Sequence, residues 1–274
     1  MSSQRSQKLN RLQKLLPEGL IVDAAWLTRH GYSTALRHKY VAAGWLTQPA
    51  PRVYQRPRGP LSWQHVVISL QTLLGHDLLV GGRSALELQG FAHYLRQTVG
   101  TVHLHGPRKP PTWLSQLDAG ARFVYRNDAP LFGKLRASTA PHRLSADAGT
   151  RPDGTVVQPW GPWNWPLTLS APERAILELL DELPDHESFH QADMLFESLS
   201  TLSPGRMQKL LVDCRSVKVK RLFFFFADRH QHAWLKRLDR KAIDLGSGKR
   251  MLVKGGRLDA KHLITVPGDL DGVH

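Results

Sequence analysis

Three groupings of side chains in this 274-residue chain are of types and spacings that do chemistry. The first is a cluster of cations. Arg5, Lys8, Arg11, Lys14, Arg29, Arg37, Lys39, Arg52, Arg56 and Arg58 face only two acids, Glu18 and Asp23, within the first sixty residues. A net +8 on so short a stretch calls for an anionic partner, and duplex DNA is the commonest one. The second is His186-Glu187-Ser188-Phe189-His190, which matches HExxH. In that motif two imidazoles four residues apart on one helix grip zinc while the Glu activates water. The third is Gly246-Ser247-Gly248-Lys249-Arg250, the end of a phosphate-binding loop. Its missing parts are a Gly where Ile243 stands and a Ser or Thr where Arg250 stands, so a tight basic turn is the better account.

The context of each grouping decides what it is worth. Pro184 and Asp185 place His186 at or before a helix start, and Asp193 and Phe196 occupy the positions where a longer zinc motif wants Gly and His. Zinc hydrolysis by His186, Glu187 and His190 is therefore a minor alternative, and neither metal nor cofactor is expected. His103-Leu104-His105 and His230-Gln231-His232 come with no convergent carboxylates or nucleophile. No Ser-His-Asp arrangement is visible, so the chain does not read as an enzyme. Cys214 is the only cysteine, which excludes an intrachain disulfide and a cysteine-based zinc site. The longest apolar run, Leu222–Ala227, is far below the roughly 20 residues of a membrane span, and the N-terminus lacks a signal-peptide core. A cytoplasmic protein without a membrane partner is expected.

The cationic cluster rests on a recognisable order of elements. Ser6 to Leu16 reads as a helix with Leu9, Leu12, Leu15 and Leu16 on one face. Asp23 caps a short helix through His30, Gly31 makes the turn, and Ser33 caps a third helix, Thr34 to Ala43, closed by Gly44. Leu36, Tyr40 and Val41 are its apolar stripe. Two strands, Trp45–Thr47 and Arg52–Gln55, follow around a turn at Gln48–Pro51. Helix, helix, turn, helix, hairpin is the winged helix-turn-helix order. The third helix would then enter the major groove with Ser33, Thr34, Arg37, His38 and Lys39. Arg37 pairs with guanine and Lys39 with phosphate on this reading, while Arg52, Arg56 and Arg58 of the wing touch the backbone or minor groove. Paired monomers on two half-sites would supply specificity.

Arg56-Pro57-Arg58-Gly59-Pro60 reads as a linker, which divides the chain into a DNA-binding domain, 1–60, and a second domain, 61–274. The second divides further, into a mixed α/β part, 61–168, and a helical part with short C-terminal strands, 169–274. The fold class is α+β. Helices are expected at Trp63–Leu74 and Arg83–Gln89, strands at Thr98–His105 and Arg122–Arg126, and an irregular connection over 139–166. Helices then start at Ser170, Ser188, Ser203 and Val217. The first of these carries a capping box through Glu173, and the second buries Phe189, Met194, Leu195 and Leu199. Four consecutive phenylalanines, Phe223–Phe226, read as a helix or strand buried on several sides. Strand-like pieces follow at Arg250–Val253 and His262–Val266. Charge is uneven: −3 over 61–200 and +11 over 201–262, within a total of +14. A basic C-terminal block also admits RNA as a partner.

Taken together, LPEGLIVDAAWLTRHGYSTALRHKYVAAGWL (16–46), GGRSALELQG (81–90), LSAPERAILELLDELP (169–184), VKVKRLFFFF (217–226) and IDLGSGKRMLVKGGRLDAKHLITVP (243–267) resemble the AbiEi family. These are antitoxins of abortive-infection, type IV toxin–antitoxin systems. The resemblance implies an N-terminal winged helix-turn-helix that binds inverted repeats of operator DNA and represses its own operon. It also implies a C-terminal domain that counteracts a nucleotidyltransferase-like toxin, by direct or indirect contact, in phage defence. It places DNA contacts on Ser33, Thr34, Arg37 and Lys39. By charge, Arg221, Lys249, Arg250, Lys254 and Arg257 are candidates for toxin neutralisation. The sequence departs from the family at His262, where a Tyr is expected. A solitary winged-helix regulator without a toxin is the alternative.

Overall fold

The computed structural model describes residues 2–91, 100–135 and 149–270. Thr98 and Val99 of the expected strand and residues 139–148 of the expected connection lie outside these, as do the side chains of Arg5 and Ser6. The chain is α+β, with a small N-terminal helix–strand unit and a larger mixed sheet with helices.

The N-terminal unit contains α1 (Ser2–Leu15), β1 (Ile21–Asp23), α2 (Ala24–Arg29), α3 (Thr34–Ala42), β2 (Thr47–Ala50) and β3 (Val53–Gln55). The strands form an antiparallel sheet in the order β1-β3-β2. β1 was not legible as a strand: three residues between Gly19 and the Asp23 cap carry no alternation, and its partner is supplied from thirty residues further on. The hairpin turns later than expected, at Pro51-Arg52, with Arg52 in the left-handed region (φ 64°). Asp23 Oδ1 accepts from Trp26 N at 2.6 Å and Ser33 Oγ from Leu36 N at 3.4 Å, so both expected caps form.

The second unit is built on a six-stranded sheet in the order β6-β5-β4-β9-β8-β7. Its strands are β4 (Leu79–Val80), β5 (Thr101–Gly106), β6 (Arg122–Asn127), β7 (Gly149–Thr150), β8 (Thr155–Trp160) and β9 (Trp165–Ser170). The region 149–166, expected to be irregular, is thus largely a hairpin, paired from Thr155↔Ser170 to Trp160↔Trp165. Prolines and tryptophans hid it, because they break simple alternation. All six residues of β9 are buried, as in a strand covered on both faces. α4 (Trp63–Thr72) lies between the two units, packing on β1 and on β9. Ser69 Oγ accepts from Ile21 N at 2.9 Å on one side. On the other, the Gln71 amide bonds both the N–H and the C=O of Thr168. β4 is too short to satisfy that stretch of β9, so a side chain supplies the missing ladder.

α5 (Gly82–Leu88) and α6 (Pro172–Asp181) pack together beside the sheet, and α7 (Phe189–Ser198), α8 (Pro204–Asp213) and α9 (Val217–His230) complete a helical lobe. Leu222 to Ala227 of α9 are all buried, and Phe226 stacks on Phe196 at 5.2 Å. Ser170 is not the α6 cap: Ala171 is, and the Ser170 hydroxyl donates instead to Glu178 Oε2 at 2.7 Å. Glu173 is buried and accepts from Ser203 N rather than closing a capping box. Met194 is exposed, because α7 turns Phe189, Leu195 and Phe196 inward. The last strands are β10 (Arg257–Asp259) and β11 (Ile264–Val266). The first falls later than expected, and Arg250 contributes only an isolated bridge to Ile264.

A buried ionic network pins α6 to the sheet. Arg174 is wholly buried over the Phe132 ring and donates to Glu178 Oε1 and Asp128 Oδ2, each at 2.8 Å, and to the Leu135 and Asp153 carbonyls. Glu178 also accepts from Gly82 N at 2.9 Å. A Cβ on Gly81 would lie 2.4 Å from Glu178 Oε2 and 2.6 Å from His105 Cδ2, so this position admits only glycine. His105 sits in the same core with no hydrogen-bond partner for Nε2. Burial pushes its imidazole down to about 4. As pH falls, the unfolded chain therefore takes up a proton near 6.5 while the folded chain resists until about 4. Stability contributed by the neutral ring is full above this window and is lost through it, by up to about 3 kcal/mol. Urea unfolding of His105→Asn against the parent between pH 7 and 4.5 should show the parent falling more steeply. Parallel curves would refute the assignment.

Candidate nucleic-acid interface

Ala35, His38, Lys39 and Ala42 follow the i, i+3, i+4, i+7 spacing of one helix face, and all four are exposed, as are Ser33 and Thr34. The two alanines keep this face low, so a groove wall can approach the helix closely. Arg29 in the last turn of α2 and Trp45 just beyond α3 are also exposed. Arg29 belongs to the cationic cluster but neither residue is among the DNA contacts read from sequence, and Trp45 is signalled only by its place between Gly44 and the hairpin.

Arg37 is a correction. It is 6 % exposed and points into the unit rather than toward a base edge. Its Nη1 donates to the Ala24 carbonyl at 2.8 Å and to Thr28 Oγ1 at 2.9 Å, and its Nη2 donates to Thr34 Oγ1 at 2.7 Å. Tyr54 of β3 lies beneath the guanidinium at 5.8 Å. The same side chain thus joins α2, α3 and the wing strand. Ala24 N in turn donates to the Arg52 carbonyl at 2.8 Å, so the wing tip with its exposed Arg52 side chain adjoins the start of α2.

Arg56 and Arg58 lie at the other end of β3. Arg56 ties down the end of α1, donating to the Gln13 and Leu16 carbonyls at 3.0 Å each and to Glu18 at 2.8 Å. Arg58 lies over Trp163 at 5.1 Å. The structure therefore gathers Ser33, Thr34, His38 and Lys39 on one surface, with Arg52 at the wing tip beside the start of α2. It moves Arg37 inside, and Arg56 and Arg58 to the base.

The C-terminal candidates divide likewise. Lys249, Arg250, Lys254 and Arg257 are exposed. Arg221 is 2 % exposed and donates to the carbonyls of Leu245, Gly248 and Leu263, at 2.7, 2.6 and 3.2 Å. It is the peg around which the basic turn folds, which leaves it out of reach of a partner. Asp228 anchors the same segment. Burial raises its carboxyl, but hydrogen bonds from Arg240, Lys261 and His262 outweigh this and hold it well below the usual carboxylate range. His262 bonds Asp259 at 2.8 Å and Asp228 at 2.9 Å through its two ring nitrogens.

The HExxH residues do not form a metal grip. His186 lies in the turn before α7, Glu187 is buried in an ion pair with Arg83, and His190 pairs with Asp269. Among the described residues no group of three or more His, Cys, Asp or Glu is placed to hold a metal ion. No helix among them is long and apolar enough to cross a membrane.

Comparison with known families decides the wider question. The family model described as transcriptional regulator, AbiEi antitoxin, type IV TA system matches residues 100–267. The chain belongs to the AbiEi antitoxin family. The family's N-terminal domain, also described as a transcriptional regulator, matches residues 5–97 of this AbiEi chain. That span takes in α4, β4 and α5 as well as the helix–strand unit. The fold is similar to the crystal structure of the RV2827C protein from Mycobacterium tuberculosis, at 15 % identity and a TM-score of 0.54. The match covers 94 % of the AbiEi chain and 89 % of the other. No curated protein matches.

Proposed function

We propose that this AbiEi-family regulator is the antitoxin of a type IV pair, binding inverted repeats upstream of its own operon and repressing it from the cytoplasm. The outward face of α3 carries the reading: a capped helix presents His38 and Lys39 beside two alanines on a unit of high positive charge. Ser33, Thr34 and Arg52 complete the contact surface, with Lys39 and Arg52 on phosphates and His38 at base edges. Residues 1–60 form the DNA module and 61–274 the antitoxin domain, made of a mixed part, 61–168, and a helical part, 169–274. Lys249, Arg250, Lys254 and Arg257 are the candidates for opposing a nucleotidyltransferase-like toxin. The role is binding rather than catalysis.

Lys39→Ala should weaken binding to operator and random duplexes alike and reduce the salt slope by about 1. His38→Ala should instead relax preference at one position, costing about 1–3 kcal/mol against the correct base. Titration of labelled upstream DNA at several salt concentrations checks both. Equal affinity of the parent for upstream and random DNA would defeat the repressor reading.

A further inference from the structure

A second surface is built at the seam between the two units, away from α3. The β8–β9 hairpin ends in Trp160-Gly161-Pro162-Trp163-Asn164-Trp165. Trp160 and Trp165 are the terminal pair of the ladder and hold His65 of α4 edge-on, at 4.8 and 5.8 Å. That packing anchors the hairpin without Trp163. Gly161 and Asn164, at φ 69° and 51°, instead turn Trp163 outward, where it is 57 % exposed. Among the described residues its ring meets the Arg58 guanidinium.

Between this ring and the base of the winged unit is a slot of about 350 Å³ lined by Pro17, Glu18, Arg56, Arg58, Trp163 and Trp165. The volume falls in the range of small-molecule sites. Two indoles and a prolyl ring give it flat apolar walls. Its rim carries one exposed cation, Arg58, and one half-exposed carboxylate, Glu18, whose Oε1 is steadied by Arg56. A flat, aromatic ligand with an anion at one end and N–H donors at the other matches this layout. A purine nucleotide has that chemistry, and base stacking on an indole is a recurrent mode of recognition.

We propose that this slot binds a guanine nucleotide unit, with the base against Trp163, the phosphate on Arg58 and the N–H edge on Glu18. Guanine offers a carboxylate two adjacent donors, whereas uracil offers one. The slot lies at the opposite end of β3 from the wing tip, so occupancy leaves the outward face of α3 uncovered.

Calorimetric titration of the full chain with GMP, UMP and a short 5′-phosphorylated single strand ending in G tests this. GMP should bind one site per chain and at least tenfold more tightly than UMP. Arg58→Ala and Trp163→Ala should each weaken GMP at least tenfold, Trp163→Phe should hold it within a few-fold, and Glu18→Gln should narrow the gap to UMP. If the strand binds more tightly than GMP, the same site takes the nucleotide as part of a nucleic acid, and the proposal stands. No saturable binding of either probe, or binding unchanged in Arg58→Ala and Trp163→Ala, overturns it. Trp163→Ala should bind upstream DNA as the parent does when nucleotide is absent. Loss of that binding would assign the slot to the operator duplex and overturn the proposal, leaving the repressor reading in place.

Discussion

Arg174→Ala will destabilise the chain by about 3–5 kcal/mol, the cost of breaking a buried ion pair from one side. The arginine itself is fully buried, and two carboxylates, Glu178 and Asp128, depend on it. Burial pushes both carboxyls upward, and Arg174 leads the groups that oppose that push. Its removal leaves each to stay charged without its cation or to take up a proton. The loss falls on the junction of α5, α6 and the sheet, because Glu178 also receives Gly82 N–H and the Ser170 hydroxyl. Urea unfolding read by circular dichroism measures the effect. A shift under about 1 kcal/mol would mean the network is idle. Arg174→Met should cost less than alanine if its chain still covers the Phe132 ring, which separates lost packing from lost charge.

Arg37→Ala will cost about 2–3 kcal/mol of stability in the N-terminal unit and leave base preference intact in the molecules that fold. Three charge-assisted hydrogen bonds disappear together; Thr28 Oγ1 and Thr34 Oγ1 lose the guanidinium donor, while the Ala24 carbonyl keeps the Thr28 hydroxyl. A side chain that reads guanine would behave in the opposite way: unchanged melting, with discrimination lost at one base pair. Thermal unfolding combined with competition between operator variants distinguishes the two. Unchanged melting with relaxed specificity would restore Arg37 to the groove and overturn the inward placement.

The contrast between Arg37 and Lys39 shows where local reading stops. Both are cations on one short helix, and composition treats them alike. Helical spacing already put position 37 beside Leu36 and Tyr40, but a charge on a buried face is legible only when its partners are known. Those partners come from α2 and β3, elements whose own packing is tertiary. Arg221 repeats the lesson in the basic C-terminal block, where its three carbonyl partners lie 24 to 42 residues away. Arg56 does so at the base of the wing, holding carbonyls 40 and 43 residues back.

The amino-acid order alone determined what short-range physics can carry. Asp23 and Ser33 cap because an oxygen sits three residues before an unbonded N–H, Gly31 turns because left-handed backbone is cheap there, and Phe223–Phe226 are interior because water excludes them from every side. Family membership was legible for the same reason, being spread over many such local patterns in a set order. Tertiary structure decided which cations face outward, that β1 is a strand, that 155–170 is a hairpin, and that Trp163 meets Arg58. Each of these depends on groups brought together from distant parts of the chain, as Arg174 is with Asp128 across 46 residues and Gly82 with Glu178 across 96. Such contacts exist only after the backbone has closed, and periodicity and composition carry no record of which way it will return.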